Sequence, residues 1–148
     1  MDFNAILSKP AAAVERPKPL PAGTFRFICG PHTFGQVNNE KQTPYVRITV
    51  KPVEPKEDVD VDLLRQSPNW NQKEMRLDYY LTEDALWRLT EFLEKHLQIE
   101  SGGRTISEML EDVQGRAFLG TVIHQPNKKK PDDPPYANIG DTAPDNAD

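Results

Sequence analysis

The chain has 148 residues, 36% of them hydrophobic, with 14 prolines, one cysteine and a formal charge of −5. That length holds one domain plus tails. No run of about 18 apolar residues occurs, so no membrane span is expected; MDFNAILSKP lacks the basic and apolar regions of a secretion signal; and a lone Cys29 excludes an internal disulfide and suits a reducing, cytoplasmic setting.

The net acidity alone argues against a nucleic-acid partner, but the charge is unevenly spread. Residues 132–148 hold five aspartates and no Lys or Arg, and Glu54 to Asp62 hold five acids against Lys56. Setting both segments aside leaves a body of about +4. Such a body is compatible with nucleic acid without demanding it.

In chain order, residues 1–22 read as a Pro-rich arm. Asp2 can cap one turn carrying Phe3, Ile6 and Leu7. Pro10, Pro17, Pro19 and Pro21 then forbid a helix and favour extended chain. The arm either docks through Phe3, Ile6 and Leu7 or stays unstructured. Residues 23–140 form the domain. Thr24 to Cys29 is a first strand with Phe25, Phe27 and Cys29 on one face; Gly30-Pro31 breaks it, and Phe34 to Val37 resumes it after a bend or bulge. Tyr45 to Val53 is the clearest strand. Val46, Ile48 and Val50 face one way, and Tyr45, Arg47, Thr49 and Lys51 the other. Pro52 marks its far end as an edge or bulge. Residues 54–73 are a long acidic and polar loop, with Val61, Leu63 and Leu64 as its apolar cluster.

The stretch Met75 to Leu97 changes period. Met75, Leu77, Tyr79 and Leu81 alternate with Arg76, Asp78 and Tyr80, as in a half-buried strand. Leu86, Leu89, Leu93 and Leu97 then fall on one helical stripe. Thr82 is the expected N-cap, worth on the order of 1 kcal/mol, with Leu81 and Leu86 as a hydrophobic staple. Trp87 lies about 100° from Leu86 around the helix and either extends the core seam or meets a partner. Thr105 to Val113 predicts a short second helix, stopped by Gly115. Arg116 to Gln125 is apolar on both faces, as a central strand would be. A charged turn with Lys128, Lys129 and Lys130 leads to a short last strand, Tyr136 to Ile139. Residues 141–148 are an acidic tail.

The fold class is therefore mainly β with one or two helices (α+β). A helix between the third and fourth of five strands is the order of an OB-like Greek-key barrel. Three stretches, PLPAGTFRF, RLDYYLTEDALWRLTEFL and GRAFLGTVIH with PYANI, make the chain resemble the phage-encoded OB-fold single-stranded-DNA-binding proteins. They span most of residues 20–140. The resemblance implies support of replication or recombination in the cytoplasm of an infected bacterium. It implies single-stranded DNA as partner, with phage or host replication and recombination proteins beside it, and it allows a homo-oligomer. Bacterial relatives end in an acidic tail with a hydrophobic tip; the tail DTAPDNAD is acidic but has no such tip.

Nothing in the sequence points to catalysis, a cofactor or a metal. His32, His96 and His124 are scattered, and no HExxH, CxxC, GxSxG or P-loop occurs. Asp58, Asp60 and Asp62 alternate, but without the Gly and terminal Glu of a calcium loop. Binding is better supported, because single strands are held by aromatic stacking and by Lys and Arg on phosphates. The candidate residues are Tyr45, Arg47 and Lys51 on the second strand and Arg76 and Tyr80 on the third. If the strands are neighbours, these form one aromatic and basic face; the alternative is ordinary cross-strand pairing. Trp70 and Lys73, on the long loop, either close over a nucleic-acid strand or tuck the loop onto the domain. Lys128, Lys129 and Lys130 either grip phosphates or form a solvated turn. The alternative function is a phage protein–protein or structural module using the N-terminal arm and the helix surface.

Overall fold

The computed structural model describes residues 4, 7, 8, 19–38, 40–126, 128–129 and 135–145. The expected roles of Phe3, Ile6 and Lys130 lie outside these residues. Five antiparallel strands form one open sheet in the order β3-β2-β1-β4-β5. They are β1 (Gly23–Gln36), β2 (Pro44–Pro55), β3 (Met75–Tyr80), β4 (Ala117–Gln125) and β5 (Tyr136–Pro144). Short α-helices pack with the sheet: α1 (Val61–Arg65), α2 (Leu86–Glu91) and α3 (Ile106–Leu110). Helix α2 runs on as a π-helical turn over Phe92–His96.

The strands exist because their apolar residues alternate. Phe25, Phe27 and Cys29 on β1, Val46, Ile48 and Val50 on β2, Leu77 on β3, and Phe118 and Val122 on β4 are all buried. They share one face, and the helices cover it. Leu89, Phe92, Leu93 and Leu97 from α2 and the turn after it, with Met109, Leu110 and Val113 around α3, complete the core. Aromatic rings thread through it. Phe27 stacks on Phe118 at 5.5 Å, Phe92 meets Phe118 edge-on at 5.1 Å, and Tyr79 stacks on Phe92 at 5.4 Å. Phe92 thus links β3 and β4 through the helical layer.

Strand β1 is continuous across Gly30-Pro31. A register shift there sets Cys29 opposite Val50 and His32 opposite Ile48, the extra residue of a bulge. A second shift omits Val53, one residue after Pro52. Gly23 has φ +134°, and a Cβ at that position would stand 2.7 Å from Val59 Cγ2, so only glycine fits where the loop crosses the start of β1.

Three expectations are corrected. Thr82 is not the side-chain cap of α2. The N-cap residue is Ala85, with no side-chain bond, and it is the Thr82 carbonyl that accepts from Ala85 N at 3.1 Å and Leu86 N at 2.8 Å. Residues 83–85 form a turn and the helix proper opens only at Leu86, so the cap position falls three residues beyond Thr82. The true capping box belongs to α3, between Thr105 and Glu108. The last strand passes Ile139 and runs to Pro144, because β4 offers partners as far as Phe118 opposite Pro144. Within the loop it is Val59 and Leu64 that are buried, while Val61 and Leu63 are half exposed. At the arm's end, Leu20 lies in the core, and its carbonyl bonds His124 Nε2.

Candidate functional site

Strands β2 and β3 are neighbours, and their register is direct. Tyr45 stands opposite Tyr80, Arg47 opposite Asp78, and Thr49 opposite Arg76. Opposed residues of an antiparallel pair point to the same side. With Val46, Ile48 and Leu77 turned into the core, Tyr45, Arg47, Lys51, Arg76 and Tyr80 share the outward face. The strand period alone puts them there.

The face is partly pre-engaged. Arg47 grips Asp78 with two nitrogens, Nε to Oδ1 at 2.8 Å and Nη2 to Oδ2 at 3.0 Å. The hydrogen bond to Asp78 is the main cause that pushes the Arg47 pKa further above its ordinary value. Arg47 also lies 5.1 Å from the Tyr45 ring centroid, a cation–π contact. The Tyr45 ring covers Gly35 on β1 so closely that a Cβ there would sit 2.7 Å from its hydroxyl. Tyr45 is therefore laid flat and fixed, whereas Tyr80 is 50% exposed. Lys51 reaches Glu74 at 3.8 Å, a loose exposed pair. Arg76 makes no ion pair among the described residues. A shallow notch of about 380 Å³ on the same face is lined by Ile28, Gly30, Thr49, Lys51 and Val53.

The other candidates separate from this cluster. Trp70 sits in a 3₁₀ turn (Trp70–Gln72), is partly buried against the core, and lies 6.0 Å from Phe25. It tucks the loop down. Lys73 follows that turn and is half buried. Lys128 and Lys129 are exposed between β4 and β5.

A second concavity adjoins the face. Edge strand β3, helix α2 and edge strand β5 enclose a groove of about 760 Å³, with Arg76, Tyr80, Trp87, Arg88, Glu91 and Asp141 among its lining. Its floor is tied by Thr142 on β5, which hydrogen-bonds the Tyr79 hydroxyl and lies 2.7 Å from His96 Nδ1. Burial pushes the Tyr79 phenol well above its ordinary pKa, with the Thr142 bond opposing weakly. Trp87 is 58% exposed, not part of the core seam. Arg88 lies 5.5 Å from its ring centroid. Arg88 and Thr142 carried no signal in the sequence: one is an ordinary helix-surface cation, the other lay in what read as tail.

Acidic side chains elsewhere serve the fold. Asp58 accepts from Thr24 N and Thr24 Oγ1, both at 2.9 Å, which hold its pKa below the ordinary value. Asp60 caps α1. Arg26 joins Glu54 at 2.6 Å to Asp145 at 3.0 Å, so the residue after β5 is tied to the sheet. Among the described residues no three His, Cys, Asp or Glu converge on a metal site. No helix among them is long and apolar enough to cross a membrane. No protein-family model and no curated protein matches the chain.

Proposed function

We propose that the chain is an OB-like barrel that binds single-stranded DNA without sequence preference, in phage replication or recombination inside the host bacterial cytoplasm. The order β3-β2-β1-β4-β5, with α2 and α3 between β3 and β4, fits such a barrel opened between β3 and β5. In that fold the face of the second and third strands takes oligonucleotides. The observation that carries the reading is the Tyr45–Tyr80 pair in direct register beside Arg47, Arg76 and Lys51. Each ring stacks a base, contributing about 1–3 kcal/mol, and the cations meet phosphates. No bond of the strand is made or broken.

Titration of oligo-dT at low and high salt tests this. Binding that weakens as salt rises is expected, since phosphate contacts release counterions. No binding, or binding indifferent to salt, overturns it. A Tyr45→Ala/Tyr80→Ala variant that binds normally removes these residues from the site. The exposure of Trp87 favours a second reading, a protein–protein module using the arm and helix surface. That reading gains if oligo-dT does not bind.

A further inference from the structure

Three guanidiniums, Arg76, Arg88 and Arg116, have no carboxylate partner among the described residues, whereas Arg26, Arg47, Arg65 and Arg104 are all paired. Two of the three, Arg76 and Arg88, line the groove between β3 and β5. The two aromatic rings in that groove with half or more of their surface exposed, Tyr80 and Trp87, stand beside them. Tyr80 and Arg76 also belong to the outward β2–β3 face, so face and groove share the β3 edge.

We infer that a bound single strand does not stop at the β2–β3 face but turns over the β3 edge into this groove, where Trp87 stacks a base and Arg88 and Arg76 take the flanking phosphates. This rests on the reading of the β2–β3 face given above. Arg88 already lies against the Trp87 ring, so one side chain offers the base a π surface and its neighbour supplies the charge. Three acids, Asp78, Glu91 and Asp141, also line the groove; Asp78 is engaged by Arg47, and the other two offset the two arginines. Stacking on Trp87 is the salt-independent part of binding in this segment, and the two phosphate contacts are its salt-dependent part. A protein ligand in the same groove is the competing occupant, and the experiment separates the two.

The chain has two tryptophans, so Trp70→Phe leaves Trp87 as the sole indole reporter. Labelled oligo-dT is titrated with this variant, following label anisotropy for binding and indole emission for the groove. Quenching of Trp87 in step with anisotropy is expected, and Trp87→Ala should weaken binding roughly 5- to 150-fold, the range of one lost stacked base. If Trp70→Phe does not fold, the difference in quenching between the wild type and Trp87→Phe reads the same event. Normal anisotropy binding with no Trp87 quenching and no effect of Trp87→Ala overturns the groove path and leaves the β2–β3 face standing. Absence of any anisotropy change overturns both.

Discussion

Asp78→Asn separates a nucleic-acid face from an ordinary solvated sheet. In the native protein Asp78 occupies the Nε–Nη2 edge of Arg47, at 2.8 and 3.0 Å. A phosphate approaching the Tyr45–Tyr80 pair must compete with that carboxylate and is repelled by it. The substitution keeps the shape, removes one negative charge and releases the guanidinium. A unit charge about 6 Å away in water is worth a factor of roughly three in affinity, before any new contact is counted. If Arg47 then engages a phosphate, the slope of log affinity against log salt steepens by about 0.7. Between 50 and 200 mM salt that adds about a 2.6-fold loss relative to wild type. The assay is oligo-dT anisotropy across that range, with a thermal melt as control. Both partners are partly exposed, so the melting temperature should move by no more than a few degrees. A folded Asp78→Asn protein that binds no tighter at low salt, with an unchanged slope, would refute the placement of phosphates beside Arg47.

Three further predictions concern the scaffold. Phe92→Ala removes a ring 1% exposed that touches Tyr79 and Phe118, and should cost about 3–5 kcal/mol in urea unfolding; a loss under about 1 kcal/mol would show that the rings do not join β3 to β4 through the helical layer. Asp58 has a folded pKa below its ordinary 3.8, so its contribution is present above that value and is lost as pH falls through the lower folded one. Wild type should therefore exceed Asp58→Asn in stability at neutral pH, with the gap closing as pH falls below 3.8; a gap independent of pH would contradict the two Thr24 bonds. Cys29 is 2% exposed, and burial pushes its thiol up to about 12, so iodoacetamide should leave it unmodified in the native protein at about pH 8 and label it in urea. Rapid native labelling would place it outside the core.

The groove between β3 and β5 ties the elements to the function proposed for them. Strand order leaves these two strands at the ends of the sheet. Thr142 reaches Tyr79 and His96 across the space, so the ends are held near each other by side chains as well as by the helical layer. That arrangement leaves exposed strand edges beside Trp87 and Arg88. Exposed edges are templates for further strands unless something blunts them, and here β5 carries Gly140, Asp141 and Pro144 along its length.

What the amino-acid order alone determines is whatever rests on local period. Alternation at Tyr45 to Lys51 and Met75 to Tyr80 assigns each residue to the core or the outward face, because the side-chain period of a strand is two wherever the strand lies. The candidate face was legible for that reason, needing only that β2 and β3 be neighbours. The leucine stripe Leu89, Leu93 and Leu97 was legible on the same grounds. Only the tertiary structure decides what depends on docking. Trp87 lies one residue from Leu86, and whether it meets core or solvent depends on how the helix rotates against the sheet. Asp78 neutralises Arg47 because the register brings them opposite, which composition cannot express. Residues 140–144 have no apolar period of their own and become strand because β4 lends them hydrogen-bond partners. In sequence Trp70 fits either a ligand-facing ring or a tuck onto the domain, and the loop's 3₁₀ turn decides for the second by carrying it against Phe25. Period is a property of neighbours in sequence; burial at an element's margin and the pairing of charges belong to neighbours in space.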